Sequence, residues 1–183
     1  MKFPIGPVVL SIVCMSAGAA HAARPSAEAK AAYVQAKDSA GATYKTARAA
    51  CDVIAGIPKD VCVAEAKTAR IRAEQEAEAY YRNTLKAYTQ SRLKIADANY
   101  DRDKIKCNVL TGNEKDVCVS QAKSTLVAAR ADATADKKAI EARNDARDDK
   151  RTAEYKVALE KCDAFAGAVK DSCVSAAKSQ YGK

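Results

Sequence analysis

The sequence predicts an all-α protein, an antiparallel array of about four helices with two long ones in the centre, and three observations lead to this prediction. Alanine occupies 41 of 183 positions and charged residues make up 30% of the chain, a composition typical of long helices. With only seven Gly and four Pro, the chain has few turns, so its elements must be long. A motif built around two cysteines also occurs three times, which indicates internal duplication.

Residues 1–22 have the features of a cleaved signal peptide. Met1-Lys2 supplies a short positive start, residues 3–20 are apolar or small, and an A-x-A cleavage site ends at Ala22. We therefore expect export to the periplasm, with secretion as the alternative. The mature protein is then a single helical domain over residues 23–183, without a second apolar stretch and without a membrane span.

Two other interpretations of the first segment are less favoured. A retained membrane anchor needs roughly 20 unbroken apolar residues, and Gly6, Pro7 and Gly18 interrupt this run. A lipid anchor on Cys14 would require a small residue directly before the cysteine, where this chain has Val13.

Removal of residues 1–22 changes the chemistry that is available to the protein. The remaining 161 residues carry 30 basic and 23 acidic side chains, a net charge of +7, together with six cysteines and no His, Met or Trp. Histidine is the usual general base near neutral pH and the commonest metal ligand, so Ser-His-Asp and Cys-His catalysis are excluded. We expect no catalytic site, no metal and no cofactor; disulfide exchange is the only chemistry left as an alternative.

The repeated motif spans nearly the whole mature chain. Its pattern is Y-x6-C-[DN]-x3-G-x2-K-D-x-C-V-x2-A-K, and the three copies lie near residues 44–70, 100–126 and 155–181. Each copy reads as a helix, a tight turn and a second helix. We expect a glycine in the left-handed conformation to end the first helix. These glycines are Gly56, Gly112 and Gly167.

Signals for the start of a helix follow each glycine. Pro58 suits a first helical position and Asn113 suits an N-cap. An aspartate follows in each copy, and in the first helical turn it would meet the positive end of the helix dipole. The three aspartates are Asp60, Asp116 and Asp171.

The six cysteines are expected to form one disulfide within each copy. Six cysteines allow 15 pairings, and the local ones are favoured because both cysteines of a copy lie about equally far from its glycine. Each would close a loop of about a dozen residues, worth somewhat under ~3 kcal/mol. A metal or redox role is the alternative, but no C-x2-C motif occurs. The expected pairs are Cys51–Cys62, Cys107–Cys118 and Cys162–Cys173.

One tyrosine in each copy lies two helical turns before the first cysteine, on the same face. We expect each ring to pack on the partner helix, over a small residue; a platform for stacking a ligand is the alternative. The tyrosines are Tyr44, Tyr100 and Tyr155, and the small residues are Ala66, Ala122 and Ala177.

Between the turns the chain has neither Gly nor Pro, which predicts two uninterrupted helices over residues 59–111 and 113–166. Each would have about 50 residues and a length of ~75 Å. Shorter helices are expected over residues 27–55 and 169–180. In this zigzag the first and third turns lie at one end of the array and the second turn at the other.

The expected helix contacts are poor in large side chains. Apolar residues keep a spacing of three or four, as in a coiled coil, with Ala where Leu would bury more surface. The disulfides would then stabilise an array with a thin core. The positions are Ala77, Tyr81, Leu85, Tyr88 and Ile95 on one long helix and Val119, Ala122, Leu126, Ala129, Ala133 and Ile140 on the other.

Residues 141–152 fit this pattern badly. The segment EARNDARDDKRT has only Ala142 and Ala146 as apolar residues, and it aligns like charges at a spacing of four, which is mildly destabilising along a helix. It is expected to be a solvated helix surface or a frayed stretch; a mixed-charge contact site is the alternative.

The repeat resembles exported proteins of Gram-negative bacteria that carry the same paired-Cys hairpin and are often labelled TolA-like or cell envelope biogenesis proteins. The resemblance covers the three hairpins through the core Y-x6-C-x4-G-x5-C, while the TolA label depends on Ala, Lys, Glu and Asp in a long helix, which is compositional. It implies a location in the cell envelope and identifies no functional residues.

These observations predict a structural or interaction protein of the periplasm, a disulfide-stabilised helical scaffold that binds a protein partner or itself. The alternative is a binding module or a chaperone-like protein for acidic ligands or clients, because a net charge of +7 suits acidic envelope polymers. No nucleic-acid partner is expected, since the sequence has no recognised reader motif.

Overall fold

The computed structural model describes residues 26–183, and five α-helices occupy most of that range. They are α1 (Ala27–Ala50), α2 (Gly56–Arg82), α3 (Leu85–Lys106), α4 (Gly112–Cys162) and α5 (Gly167–Tyr181). No strand occurs within residues 26–183, so the prediction of an all-α fold is confirmed. The predicted signal peptide lies outside the described residues.

Each helix packs against the next one along the chain, which gives a zigzag of antiparallel neighbours. The Tyr33 ring of α1 stacks on the Tyr81 ring of α2, with centroids 4.9 Å apart. Between α3 and α4, Arg130 pairs with Asp97 at 2.6 Å. These contacts join neighbours along the chain.

The predicted single helix over residues 59–111 is wrong, because the chain reverses between α2 and α3. Asn83 ends α2 in the left-handed conformation, at φ 44° and ψ 45°. Thr84 caps α3, and its hydroxyl accepts a hydrogen bond from the Ala87 amide at 3.1 Å. Asn tolerates the left-handed region and Thr is a favoured N-cap, so this pair makes a turn without Gly or Pro.

This reversal changes which turns lie together. Lys106, at the end of α3, pairs with Glu65 near the start of α2 at 2.7 Å. The first and second turns therefore lie at the same end of the array and the third lies at the far end, so the predicted grouping of the first turn with the third is also wrong.

The second long helix agrees with the prediction, since α4 runs unbroken for 51 residues. The charged stretch 141–152 lies inside it as ordered helix. From residue 138 to residue 151 every position is exposed except Asn144, which is half-buried. We call residues 138–151 the bare segment. The Arg92–Asp136 ion pair with α3 comes before it, and the Lys183–Thr152 hydrogen bond after it.

The hairpin glycines have the expected left-handed conformation, with φ of 65°, 53° and 58°, but each one opens the second helix instead of ending the first. The first helix ends beside its cysteine, and in two copies a 3₁₀ turn follows, Cys51–Val53 and Cys107–Val109. No heavy atom lies within 4 Å of a Cβ built on these glycines. The backbone conformation, not crowding, therefore requires glycine.

Because the second helices begin at the glycines, the predicted start signals are displaced. Pro58 is the third residue of α2 and Asn113 the second residue of α4, and the three aspartates are the fifth residues of their helices, one beyond the first turn. Thr111 is the N-cap of α4, and its side chain makes no capping hydrogen bond. None of these three helices begins with a side-chain capping hydrogen bond, and each begins at a glycine with positive φ.

Alanine and cystine make up the apolar core. Within residues 26–183 the buried apolar residues are ten alanines and three cysteines, and the fully buried side chains of greatest volume are Cys51, Cys107 and Cys162. Of the predicted contact positions, Ala122 and Ala133 are buried. The predicted continuation of the contact line is wrong at two positions, since Tyr88 is 43% exposed beyond the reversal and Ile140 is 41% exposed in the bare segment.

Replacement of Thr84 tests the cap that starts α3. Thr84→Ala removes the hydrogen bond to the Ala87 amide, and we expect the free energy of unfolding to fall by about 1 kcal/mol. Thr125→Ala is the control, because the Thr125 hydroxyl is exposed and bonds only to the Gln121 carbonyl of its own helix. Urea denaturation followed by circular dichroism measures both, and equal effects of the two changes would contradict the assignment.

Candidate functional site

The three disulfides join the cysteines within each copy. Cys51 bonds to Cys62, Cys107 to Cys118 and Cys162 to Cys173, with Cα–Cα distances of 5.7, 5.7 and 5.6 Å. In each pair the first cysteine is buried, so each bond closes its turn against the adjoining helices. These local pairings are the ones that equal spacing from the glycines predicts.

An ion pair across the turn accompanies two of the disulfides, and the sequence analysis missed it. Asp52 pairs with Lys59 at 3.0 Å, and Asp163 pairs with Lys170 at 2.7 Å. The hydrogen bonds from Arg48 and Lys59 lower the pKa of Asp52, and the bond to Asp163 raises the pKa of Lys170. The signal was present, because the repeated pattern has a fixed Lys and, in two of the three copies, an Asp at these positions.

The second copy has Asn108 where the others have Asp. A neutral amide cannot form the same ion pair with Lys115, so an ion pair spans two of the three turns. The carboxylates are exposed, and exposed pairs contribute little to stability. We therefore infer that these ion pairs fix the geometry of the turn and add little to its stability.

The tyrosines of the motif are half-buried, and the three alanines expected beneath them are buried. The guanidinium of Arg70 on α2 lies 5.4 Å from the centre of the Tyr44 ring on α1. The Tyr155 ring on α4 lies 6.0 Å from the Tyr181 ring on α5. In these two copies the ring meets a side chain of the partner helix, and Tyr100 of the middle copy is half-buried on α3.

A groove of about 480 Å³ opens at the end of the array that holds the first two turns. It is formed by the C-terminal end of α1, the first half of α2 and the second half of α3, together with the 3₁₀ turn at Asn108. Its floor is apolar and its rim carries four cations and two carboxylates. The floor residues are Val63, Ala64, Ile71, Ala98 and Ile105, and the charged residues are Arg48, Lys59, Lys67, Arg102, Asp60 and Asp101.

Three of the four cations already have partners within the protein. Arg48 and Lys59 pair with Asp52. Arg102 bonds to Asp103 at 2.8 and 3.0 Å, and this contact raises the pKa of its guanidinium. Lys67 forms no ion pair among the salt bridges of residues 26–183. The groove thus offers an apolar floor with one uncommitted ammonium group at its edge.

Sequence reasoning did not identify this groove, because the groove depends on the reversal at Asn83. With one continuous helix over residues 59–111, Lys67 and Arg102 would be about 50 Å apart along the helix. The structure brings their helices side by side. The Thr68 hydroxyl of α2 donates a hydrogen bond to the Ala98 carbonyl of α3 at 3.1 Å and closes the floor between them.

Comparison with family models, with curated proteins and with solved structures finds no match to this chain. In the described part of the chain, no helix has the length and apolar character to cross a membrane. Within the same residues no cluster of three or more His, Cys, Asp or Glu side chains is placed to hold a metal ion.

Removal of single disulfides tests how the three turns differ. The Cys162–Cys173 pair holds only α5 against the end of α4, whereas Cys51–Cys62 joins the end of α1 to α2, which also packs against α3. For Cys162→Ser with Cys173→Ser, we expect the helicity of α5, 15 residues, to be lost below the main thermal transition. For Cys51→Ser with Cys62→Ser, we expect the main transition itself to move to a lower temperature, because the free energy of unfolding falls by somewhat under ~3 kcal/mol.

Thermal unfolding followed by circular dichroism in oxidising buffer measures both variants, and the unaltered protein treated with reductant is the control. Equal shifts of one single transition in the two variants would show that α5 unfolds together with the other helices, against this expectation.

Proposed function

We propose that this protein is a periplasmic scaffold of the cell envelope, whose long helix α4 holds two disulfide-stapled ends at a fixed distance. The observation that supports this most directly is the bare segment. It separates the array formed by α1, α2 and α3 from the hairpin that α5 forms with the end of α4.

The geometry of α4 suits a spacer. At 1.5 Å per residue, its 51 residues span about 75 Å. In the bare segment the apolar residues are only Ala139, Ile140, Ala142 and Ala146, and a mostly polar helix surface is typical of a solvent-exposed bridge between packed units. Pairs at a spacing of three or four support the helix there, including Lys137–Glu141 at 3.4 Å, Lys150–Glu154 at 3.9 Å and Arg151–Asp148.

The disulfides support an exported location. Disulfides persist in oxidising compartments such as the periplasm and are rare in the bacterial cytosol. The sequence features of residues 1–22 and the resemblance of the hairpins to exported envelope proteins point the same way. Secretion is the alternative, since the same features serve a protein that leaves the cell.

Export is tested on the full chain, tagged at its C-terminus and expressed in a Gram-negative host. We expect the protein in the periplasmic fraction with its N-terminus at Ala23 by mass spectrometry and with all six mature cysteines protected from alkylation until reductant is added. An unprocessed chain with free thiols in the cytosol would contradict the proposal.

The spacer role is tested by shortening the bare segment. In-frame removal of residues 140–150, about three helical turns, should shorten the particle by about 16 Å while keeping the rotational phase of the two ends. Small-angle X-ray scattering measures the maximum dimension, and helicity per residue is the control for folding. An unchanged maximum dimension in a folded variant would show that α4 is not the spacer.

The groove favours a second candidate function, the binding of an acidic ligand that has an apolar part. An apolar floor with a few placed polar groups is typical of small-molecule sites, and the Lys67 ammonium group at the edge would attract an anionic head group. Dodecyl phosphate provides both parts in a simple probe.

Lys67→Gln is expected to weaken dodecyl phosphate binding several-fold in calorimetric titration, and added salt should weaken binding to the unaltered protein. Lys123→Gln is the matched control, because Lys123 has the same position in the second copy of the repeat but does not line the groove. Absence of saturable binding, or equal loss in the two variants, would exclude this candidate.

A further inference from the structure

One face of α4 is rich in Ala, Ser and Val, is interrupted by Lys138 and Asp149, and is exposed over nearly its whole length. Ten residues recur along this face at steps of three, four and seven, which average about 3.6 residues per turn and so keep them on one side of the helix. All ten are exposed, and we call them the small-residue face of α4. They are Val117, Ser120, Ser124, Val127, Ala131, Ala135, Ala142, Ala146, Ala153 and Val157.

The repeat shows what covers the equivalent face elsewhere in the same chain. Aligned on the cysteines, the first half of α4 corresponds to α2 and the second half corresponds to α3. Of the ten equivalent residues in α2 and α3, Val61, Ile71, Gln75 and Arg102 are half-buried. The other six are buried, with exposures of 3–7%, where the two helices pack against each other. They are Ala64, Thr68 and Ala79 on α2 and Ala87, Ser91 and Ala98 on α3.

A polar contact of the α2–α3 pair has its counterpart residues on α4. The Thr68 hydroxyl donates to the Ala98 carbonyl at 3.1 Å. The equivalent positions are Ser124, which keeps the hydroxyl, and Ala153. Within one straight α4 these two residues are about 44 Å apart, so they cannot meet in one chain.

The chain gives a reason why α4 does not reverse as α2 and α3 do. The turn between α2 and α3 needs Asn83 in the left-handed conformation and Thr84 as a cap. The second copy is one residue shorter here and has Ala139 at this place. Alanine is the strongest helix former, so the helix continues and its two halves stay apart.

We propose that two copies of this chain pair through the small-residue faces of antiparallel α4 helices, so that each half of α4 covers the other half on the second copy. Ser124 of one copy would then lie against Ala153 of the second copy, and the reverse, with the two-fold axis between Lys138 and Ala139. Such a contact is self-complementary and closes as a dimer.

Charge does not oppose this pairing. Residues 141–152 carry four acidic and four basic side chains, and residues 125–136, which they would face, carry two acidic and one basic. The dimer also covers Ala142 and Ala146, which one copy leaves exposed in the bare segment. At each end, the second turn of one copy would lie beside the third turn of the other, as the first lies beside the second within one chain.

This inference rests on the proposed scaffold function and names its partner, a second copy. Sedimentation equilibrium of the oxidised chain over residues 23–183 tests it, and we expect twice the mass of one chain. Ser124→Glu places a charge against the opposing helix and should raise the dissociation constant at least tenfold. Thr125→Glu is the control, since it makes a similar change about 100° around α4, and it should leave the dimer intact.

A cysteine at the axis gives a second readout that does not require destabilising the dimer. Lys138→Cys should form a disulfide between copies in oxidising buffer, seen as a dimer on a non-reducing gel, whereas Thr125→Cys should not, because its counterpart lies far from the axis. Circular dichroism checks that each variant keeps its helicity.

A monomer at all concentrations would overturn the inference, and scattering then separates two cases. An extended monomer would leave the scaffold function standing, because α4 would still separate the two ends. A compact monomer would mean that α4 reverses within one chain, and it would contradict the scaffold function as well.

Discussion

The helices of this protein meet through alanine, and the rest of the structure depends on that constraint. Alanine lets helix axes come close and favours the helical state itself, but each one buries little apolar surface. The buried apolar residues of the described chain are alanines and cysteines only. Stability must therefore come from elsewhere, and the three disulfides, each closing a loop at a turn, are the strongest local constraints available.

The same constraint explains the design of the repeat. Each turn combines a disulfide, a left-handed glycine and, in two copies, an ion pair between the Asp after the first cysteine and the Lys after the glycine. These devices specify how two helices leave the turn, and they do so without a large core. A hairpin specified in this way can be duplicated and joined by helices that differ in their course. The first linking stretch, between the first and second hairpins, reverses and forms α2 and α3. The second linking stretch, between the second and third hairpins, forms the single helix α4.

The sequence predicted the hairpins, whose structure is specified by residues close together in the chain. It did not predict the reversal between α2 and α3, which depends on a single pair of residues. Fixed offsets of Cys and Gly predicted the hairpins, the pairings and the left-handed glycines. The absence of Gly and Pro did not predict the reversal at Asn83, although Asn followed by Thr carries the chemistry of a helix end and a helix start. The groove was missed with it, since α2 and α3 become neighbours only through that turn.

Comparison of the two linking stretches shows how little separates a closed pair of helices from an extended one. At the six positions that are buried between α2 and α3, both stretches have only Ala, Ser or Thr. At the midpoint they differ, with Asn83-Thr84 in one and Ala139 in the other. In the first stretch α2 and α3 cover this face of each other, so Ala79 and Ala87 are buried. In the second stretch the equivalent Ala135 and Ala142 are exposed. The second stretch therefore lacks the antiparallel neighbour that covers these positions in the first.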